Sequence, residues 1–306
     1  MPGATQADDA RTASANAPTV LRILLGTQLR RLRESRGITA AAAATAIHGS
    51  ESKISRIELG RNAVRGVDIA GLLDLYGITS ATEREALLVL AGQANQQGWW
   101  HHYQDLLPSW FQPYLGLEES AELIRSYDTQ FVPGLLQTDE YSSAVHELGA
   151  YSREETTRRV LLRKERQQRF TSGALRLWAV IDEIALRRPV GTTAIMRRQL
   201  EHLLAAADQP RITIQITPFE TGASHAALGS FSILSFAADD LRDVVYVEQL
   251  TSALYLDKRA DVDRYIQAMD LIATTSTPPG QTKAFLRAAV AEMTGRQCAA
   301  SAAGPP

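Results

Sequence analysis

Hydrogen-bonding side chains crowd into the segment HGSESKISRIELGR, residues 48–61. If Ser50 caps a helix here, Ile54 and Ile57 fall on one face and anchor that helix to a core. The outward positions are then Glu51, Ser52, Lys53 and Arg56. Lysine and arginine donate to guanine O6 and N7, glutamate accepts from cytosine N4, and serine suits a base edge or a phosphate. The spacing therefore predicts that these four side chains contact base edges in the major groove of DNA.

A second group of polar residues around the same helix suits backbone phosphates rather than bases. Its members are Thr39, Ser50, Ser55, Arg61 and Asn62. The alternative is an ordinary surface helix, in which Glu51 contacts Ser55 and Glu58 pairs with Arg61. Both interpretations use the same side chains, so the charge of the surrounding sequence bears on the choice.

The charge of the chain is unevenly distributed. Residues 19–66 hold nine basic and three acidic groups, whereas the whole 306-residue chain has a formal net charge of −2. The remainder therefore carries −8. A basic block on an otherwise acidic protein is typical of a phosphate-binding module joined to a domain that does not bind nucleic acid. A solvated helix face is the alternative that charge alone leaves open.

Five short helices are predicted to position these residues. LRILLGTQLRRLRESRG places leucines on one face and ends at Gly37, and TAAAAATAIH begins with Thr39 as its N-cap. Gly49 is expected to make the turn into the helix described above. VDIAGLLDLYGI and ATEREALLVLAGQAN supply the fourth and fifth helices. Helices two and three, joined by a three-residue turn, predict an all-α helix-turn-helix domain.

The second half of the chain has a different pattern. EESAELIRSYDTQ, TDEYSSAVHEL and SREETTRRVLLRKERQQRF predict helices. LRLWAVID, RITIQITP, GSFSILSF, DVVYVEQL and ALYLD are rich in β-branched and aromatic residues and predict strands. Further helices are predicted between the first two strands and at the end of the chain. This half is therefore predicted to be α+β, with a mostly antiparallel sheet of about five strands.

The chain is long enough for two domains, each with its own core. The predicted organisation is a disordered arm at 1–18, a helix-turn-helix domain at 19–94, an α+β domain at 95–293 and a flexible tail at 294–306. The segment QQGWWHHYQDLLPSWFQPYLGLE, near the domain boundary, is too apolar for a free linker. We expect it to pack against the second domain.

Composition argues against several classes of protein. The chain has no 18-residue apolar run that would suggest a membrane span, and its polar first residues lack the apolar core of a secretory signal. Its single cysteine, Cys298, cannot form an internal disulfide or a cysteine-based zinc site. We therefore expect a cytoplasmic, nucleoid-associated protein without a cofactor.

Three features could suggest an enzyme, and each has a simpler interpretation. His101 and His102 are adjacent, so both cannot easily face one metal ion. Asp182 and Glu183 follow a strand, where carboxylates can act as acid and base, but they also suit the start of a helix. Ser224 is followed by a histidine without the spacing of a nucleophile elbow. No catalytic or metal-binding residue is predicted, and a hydrolase remains the alternative.

Two segments of the second half could bind a partner. The aromatic segment contains Trp99 and Trp100, and FVPGLLQT places Phe131, Pro133 and Gly134 among apolar residues. A buried turn is the alternative for FVPGLLQT. These five residues are the candidates for partner binding.

The first module resembles a known family of regulators. GTQLRRLRESRGIT followed by AAAATAIHGSESKISRIELGR, about 60 residues in all, looks like the Xre-type helix-turn-helix family of bacterial regulators. The residue after the second helix is often glycine in this family, but here it is His48, with Gly49 following. A shift of the turn by one position would change the set of residues that contact bases.

The rest of the chain, from about residue 98 to 290, also resembles a known domain. The segments GWWHHYQDLLPSWFQPYLGLEESAELIRSYDTQFVPGLLQTDEY, VIDEIALRRPVG, QLEHLL and VVYVEQLTSALYLD look like the C-terminal domain of WhiJ-like, antitoxin-like regulators. The resemblance implies a DNA-binding repressor whose C-terminal domain meets a small partner protein encoded nearby. It also implies a role in development or antibiotic production.

Together these features predict a transcriptional regulator. One helix-turn-helix covers only half a site, so specific binding requires a homodimer on an inverted repeat with half-sites about 34 Å apart. The alternative is an interaction or receptor protein in which the helix-turn-helix is a docking module.

Overall fold

The computed structural model describes residues 18–60, 62–149, 151–224, 228–237 and 241–302. Contacts divide the chain into two compact units. Met1–Ala121 and Phe236–Arg242 form the N-terminal unit, and Glu122–Ser235 and Asp243–Pro306 form the C-terminal unit. The predicted disordered arm lies outside the described residues, except for Pro18, where the first helix begins.

The described part of the N-terminal unit consists of helices. They are α1 (Pro18–Ser35), α2 (Ala40–Ala46), α3 (Glu51–Glu58), α4 (Gly66–Leu75), α5 (Ala81–Ala94), a 3₁₀ helix (Trp99–Tyr103) and α6 (Gln112–Ser120). The five helices that the sequence predicts are α1 to α5. Each of the first four supplies buried apolar side chains to one cluster, for example Leu25, Ala43, Ile54 and Leu72. The helical spacing of apolar residues in the sequence therefore predicted this core correctly.

The aromatic segment of residues 96–118 belongs to the N-terminal unit by its contacts. The sequence suggested packing against the second domain and a boundary after residue 94. The indole of Trp100 is buried and lies against glycine 98 and glycine 116, where an added Cβ would overlap its ring. At Gly116 an added Cβ would also meet Thr19 of α1. Small residues thus let α6 and the tryptophan approach α1 closely.

The C-terminal unit contains a six-stranded sheet with helices. Its strands are β1 (Leu123–Asp128), β2 (Arg176–Asp182), β3 (Ile212–Thr217), β4 (Phe231–Ser235), β5 (Val244–Glu248) and β6 (Ala253–Leu256). Its helices are α7 (Asp139–Glu147), α8 (Arg153–Ser172), α9 (Glu183–Arg187), α10 (Thr193–Ala206), α11 (Arg259–Thr275) and α12 (Pro279–Ala302), with 3₁₀ helices at Gly134–Leu136 and Phe219–Ser224.

The order of strands in the sheet is β3-β2-β1-β4-β5-β6. The pairs β1–β2 and β2–β3 are parallel, and the other three pairs are antiparallel. The predicted α+β class with a mostly antiparallel sheet is thus confirmed. One face packs against α11 through a cluster that includes Tyr127, Phe231, Val245 and Met269.

One strand was predicted wrongly as a helix. The segment LIRSYD forms β1, an interior strand between β2 and β4, whereas the sequence suggested a helix over EESAELIRSYDTQ. Its first residues do belong to α6, and helical propensity continues past Ser120. Pairing with two neighbouring strands overrides that propensity, because Ile124 and Tyr127 are buried only in the sheet.

The end of the chain also differs from the prediction. Helix α12 continues to Ala302, whereas the sequence suggested a flexible tail from residue 294. Alanine-rich sequence has the highest helical propensity, which accounts for the extension. Residues 303–306 lie outside the described residues.

Candidate nucleic-acid interface

Helix α3 has one buried and one exposed face. Ile54 and Ile57 are 1% and 2% exposed, and both belong to the core of the N-terminal unit. The opposite face presents exposed side chains at Glu51, Ser52, Ser55 and Arg56. Four of the residues predicted to contact DNA therefore share one surface, because helical periodicity separates them from the isoleucines.

Arg56 is the cation of this exposed face. Among the described residues it forms no ion pair or side-chain hydrogen bond, and neither does Glu51, Ser52 or Ser55. A guanidinium carries five donors in a planar fork that matches the O6 and N7 edge of guanine. The exposed face of α3 can thus donate through Arg56 and accept through Glu51.

Close approach of α1 holds α3 in place. An added Cβ on Gly26 of α1 would lie 2.7 Å from the carbonyl oxygen of Glu58 and closer still to that of Ile57. Gly60, directly after α3, has φ +65° and would place a Cβ 2.6 Å from the backbone nitrogen of Ile23. Both positions leave room only for a hydrogen atom. The end of α3 therefore contacts the backbone of α1.

A buried ion pair joins the same two helices. Both Nε and Nη2 of Arg33 donate to the carboxylate of Glu58, the Nη2–Oε2 distance being 2.9 Å. Arg33 also donates through Nη1 to the carbonyl oxygen of Ile38. The hydrogen bond and charge of Glu58 raise the pKa of Arg33 above its ordinary value. Arg33, one of the nine basic groups of residues 19–66, thus forms its ion pair within the domain.

Lys53 also has a partner within the domain. Its Nζ lies 2.9 Å from Oδ2 of Asp68 in α4, and Nη2 of Arg65 lies 2.9 Å from Oδ1 of the same carboxylate. The hydrogen bond from Arg65, followed by that from Lys53, lowers the pKa of Asp68 below its usual range. Lys53 therefore bridges α3 and α4, and its predicted base contact stays a prediction.

The two roles of Lys53 lead to different results for Lys53→Ala. We expect the free energy of unfolding to fall by about 1 kcal/mol, because a largely buried carboxylate loses one of two charged donors. Urea titration of the full chain measures this change, and binding to matched and mismatched DNA measures specificity. Unchanged stability together with altered base preference would contradict the bridging role.

His48 forms the turn between α2 and α3. It has φ +49°, the left-handed conformation in which glycine is usual. Its N–H donates to the carbonyl oxygen of Thr45, and the N–H of Gly49 donates to that of Ala44. These are the two hydrogen bonds of a Schellman motif. A second Schellman motif ends α1, with Gly37 as its left-handed residue. The turn was expected at Gly49, but His48 itself occupies the glycine position, so the following helix begins without a shift.

A glycine in place of His48 should therefore stabilise the protein. We expect His48→Gly to raise the free energy of unfolding by about 1 kcal/mol, because the left-handed conformation costs a side chain about that much. The reciprocal variant Gly37→Ala, at φ +65° with open space around its Cβ, should lower it by a similar amount. Denaturant midpoints measure both. A destabilised His48→Gly protein would show that the imidazole makes a compensating contact.

The N-termini of both helices of the motif, α2 and α3, are capped by hydroxyl groups. Thr39 accepts from the N–H of Ala42 at the start of α2, and Ser50 accepts from the N–H of Lys53 at the start of α3. Both residues are exposed, as is Asn62. Free N–H groups of a first helical turn suit a phosphate oxygen. Arg61, also predicted to contact phosphate, lies outside the described residues.

The five candidates for partner binding are largely packed within their own units. Trp100 and Pro133 are buried, and Trp99, Phe131 and Gly134 are partly buried. Trp99 contacts Trp100 edge to face, with 5.8 Å between ring centroids. A role in partner binding stays a prediction for all five.

The carboxylates that could suggest a hydrolase have structural partners. Asp182 caps α9 by accepting from the N–H of Ile184 at 2.9 Å, which confirms the cap interpretation, and it also accepts from the hydroxyl of Tyr127. Glu183 accepts from Nε of Arg187 at 2.9 Å and from the N–H of Phe219 at 3.0 Å.

The described residues offer no metal site and no membrane span. Over the described ranges, histidine, cysteine, aspartate and glutamate side chains form no group of three that could hold a metal ion. In that same part of the chain, every helix is too short or too polar to cross a membrane.

The sequence did not predict that Asp68 and Glu58 position α3. For Glu58 there was one signal in the sequence: it is an acidic residue within the basic block of residues 19–66. A buried basic group needs a carboxylate, so some acids inside a basic block are expected to be ion-paired.

Comparison with known proteins gives two matches. Residues 111–288 match the family described as "Domain of unknown function (DUF5753)". Residues 24–87 match the family described as "Helix-turn-helix domain", a range that includes α2, the turn at His48 and α3. The N-terminal unit thus contains a helix-turn-helix domain, which indicates a DNA-binding regulator. No curated protein and no solved structure matches the chain.

Proposed function

The chain belongs to the DUF5753 family, and from its attached helix-turn-helix we propose that it is a sequence-specific transcriptional repressor of the Xre type. It binds an inverted-repeat operator as a homodimer in the cytoplasm, at the nucleoid. The C-terminal unit acts as a WhiJ-like module, in which a small partner protein or ligand modulates DNA binding.

The exposed face of α3 is the observation that carries this proposal. Glu51, Ser52, Ser55 and Arg56 project away from a helix whose other face is anchored by Ile54 and its neighbours. Direct readout requires such a rigid helix, because donors and acceptors must meet base edges in a groove about 12 Å wide. The Arg33–Glu58 pair and the close approach at glycine 26 supply this rigidity.

We assign phosphate contacts to residues at the starts of α2 and α3 and shortly after α3. Thr39 and Ser50 stand at two helix N-termini whose partial positive charge favours an anion. Asn62 is exposed shortly after α3 and can donate to a phosphate oxygen. These contacts would fix the orientation of α3 in the groove without reading sequence.

We propose that the C-terminal unit acts by binding rather than by catalysis. Asp182 caps α9 and accepts from the hydroxyl of Tyr127, and Glu183 accepts from Arg187. These contacts support a structural role for both carboxylates. The occupied carboxylates also argue against the alternative of a hydrolase.

The test is selection of genomic fragments by the purified protein at two salt concentrations, followed by the same selection with Arg56→Ala. We expect an enriched inverted repeat, and a loss of about 1–3 kcal/mol in specific binding with the variant. Arg264→Ala, which removes an exposed arginine of α11, is the matched control and should leave the motif unchanged.

Two results would contradict the proposal. Salt-sensitive binding without any motif would mean that the module holds DNA without reading it. Absence of salt-sensitive binding would favour the alternative, in which the helix-turn-helix is a docking module of an interaction protein.

A further inference from the structure

One carboxylate holds two cations at the side of α3. Oδ2 of Asp68 accepts from Nε of Arg65 at 3.1 Å and lies 2.9 Å from Nζ of Lys53, and Oδ1 lies 2.9 Å from Nη2 of Arg65. Nζ of Lys53 and Nε of Arg65 are therefore at most about 6 Å apart, because both lie within a hydrogen-bond length of about 3 Å from the same oxygen. These three residues form the cation cluster.

The cation cluster carries an excess of positive charge. Asp68 is 4% exposed, and the hydrogen bond from Arg65, followed by that from Lys53, lowers its pKa below the usual range, so it is ionised at neutral pH. In the part of the chain that the structure describes, neither cation contacts a second carboxylate. Two cations thus share one anion, and one positive charge remains uncompensated.

Both cations keep donors that an outside acceptor can reach. An ammonium group has three N–H donors and a guanidinium group has five. Asp68 accepts from Nζ of Lys53 and from Nε and Nη2 of Arg65, which leaves further N–H groups on each cation. The side chain of Arg65 is 72% exposed and that of Lys53 is 29% exposed. The cation cluster can therefore bind an anion at the protein surface.

The cation cluster lies at the margin of the exposed face of α3. Successive residues of a helix are rotated by about 100°, which places Lys53 about 60° from the exposed Arg56 and about 40° from the buried Ile57. A helix with its side chains is about 10–12 Å across, and the major groove is about 12 Å wide. When α3 lies in the groove, side chains at the centre of its exposed face meet base edges, and side chains at the margin meet the phosphates of the groove wall.

We propose that Lys53 and Arg65 together bind one backbone phosphate of the DNA, with Asp68 as the positioning residue that holds both cations on it. Two donors at most about 6 Å apart can reach one phosphate, because charge-assisted hydrogen bonds are about 2.7–2.9 Å long. A phosphate also balances the remaining positive charge, which a neutral base edge does not. Lys53 then contacts the groove wall in place of the base edge that the sequence predicts. The inference rests on the proposed function, because it requires α3 to lie in the groove of the operator.

The test is the salt dependence of binding to the selected inverted repeat, measured with the full chain by fluorescence anisotropy. Each phosphate contact contributes about 0.9 to the slope of log K against log salt concentration. Arg65→Ala leaves Asp68 paired with Lys53 alone, so the slope should become shallower by about 1 per chain while the selected motif stays the same. Arg264→Ala, which removes an exposed arginine of α11, is the matched control and should leave the slope unchanged.

Further variants test the role of Asp68. Lys53→Ala should also make the slope shallower by about 1 per chain without changing the motif. Asp68→Asn removes the shared anion, so each cation can bind a phosphate of its own and the slope should become steeper by about 1 per chain. Lys53→Ala combined with Asp68→Asn should restore the slope of the wild type, which loss of a merely structural carboxylate would not do. Circular dichroism checks that each variant is folded.

Failure of this inference and failure of the proposed function give different results. A folded Arg65→Ala protein with the slope of the wild type would overturn the shared phosphate contact, and so would a Lys53→Ala protein that selects a different motif. Both results leave the proposed function standing, because the wild type still selects its repeat. Salt-sensitive binding of the wild type without any motif would overturn the proposed function alone, since the slopes can then be compared on DNA of random sequence. Absence of salt-sensitive binding would overturn both.

Discussion

Gly26→Ala should destabilise the helix-turn-helix domain by about 3 kcal/mol. Alanine normally strengthens a helix by about 1 kcal/mol relative to glycine. Here its Cβ would lie 2.7 Å from the carbonyl oxygen of Glu58, and backbone atoms cannot rotate away as a side chain can. The end of α3 must therefore move, and overpacking of this kind costs about 1–3 kcal/mol or more.

The matched control for this variant is Gly92→Ala in α5. Nothing lies within 4 Å of a Cβ at that position, so only helical propensity acts and stability should rise by up to about 1 kcal/mol. Urea unfolding of the full chain, followed by circular dichroism, compares the two proteins. Equal stabilisation by both alanines would show that α1 and α3 are further apart than the structure has them.

Glu58→Ala should destabilise the protein by about 3 kcal/mol, because it leaves the largely buried guanidinium of Arg33 with only the exposed carboxylate of Glu34, 3.6 Å away. The side chains of Arg33 and Glu58 are only 12% and 8% exposed. Specific DNA binding should weaken as well, because this pair fixes the end of α3 against α1. Denaturant titration gives the first effect, and titration with the selected operator gives the second.

Two further variants define what the pair contributes. Glu201→Ala breaks the exposed Arg197–Glu201 pair within α10 and should cost about 0.5 kcal/mol or less. The double variant Arg33→Met with Glu58→Leu should recover most of the lost stability, since apolar residues of similar volume can replace a buried ion pair. A Glu58→Ala protein as stable as Glu201→Ala would refute the burial argument.

Sequence reasoning found the helix-turn-helix because its signals are local. Helical spacing of leucines and isoleucines defines the core face, and the hydroxyl caps at Thr39 and Ser50 mark the helix starts. The same spacing fixes which residues of α3 face outward. Strands β2 to β6 were also found, because each is a short run of β-branched or aromatic residues.

Local signals failed where long-range contacts decide. The segment LIRSYD is compatible with a helix by itself, and only its two neighbouring strands make it β1. The turn glycine was expected at Gly49, but the two hydrogen bonds of the Schellman motif place the left-handed residue at His48. In the first case the deciding partners are distant in the sequence. In the second they are only three and five residues away, and the error came from expecting glycine rather than histidine in the left-handed conformation.

The sequence by itself determined that a short helix would present Glu51, Ser52 and Arg56 opposite an isoleucine anchor, because side-chain direction in a helix follows from spacing alone. Only the tertiary structure decided which cations remain available. Arg33 and Lys53 belong to the same basic block as Arg56, but carboxylates brought from α3 and α4 engage them. Charge counts along a chain cannot show this, because the pairing depends on which helices meet.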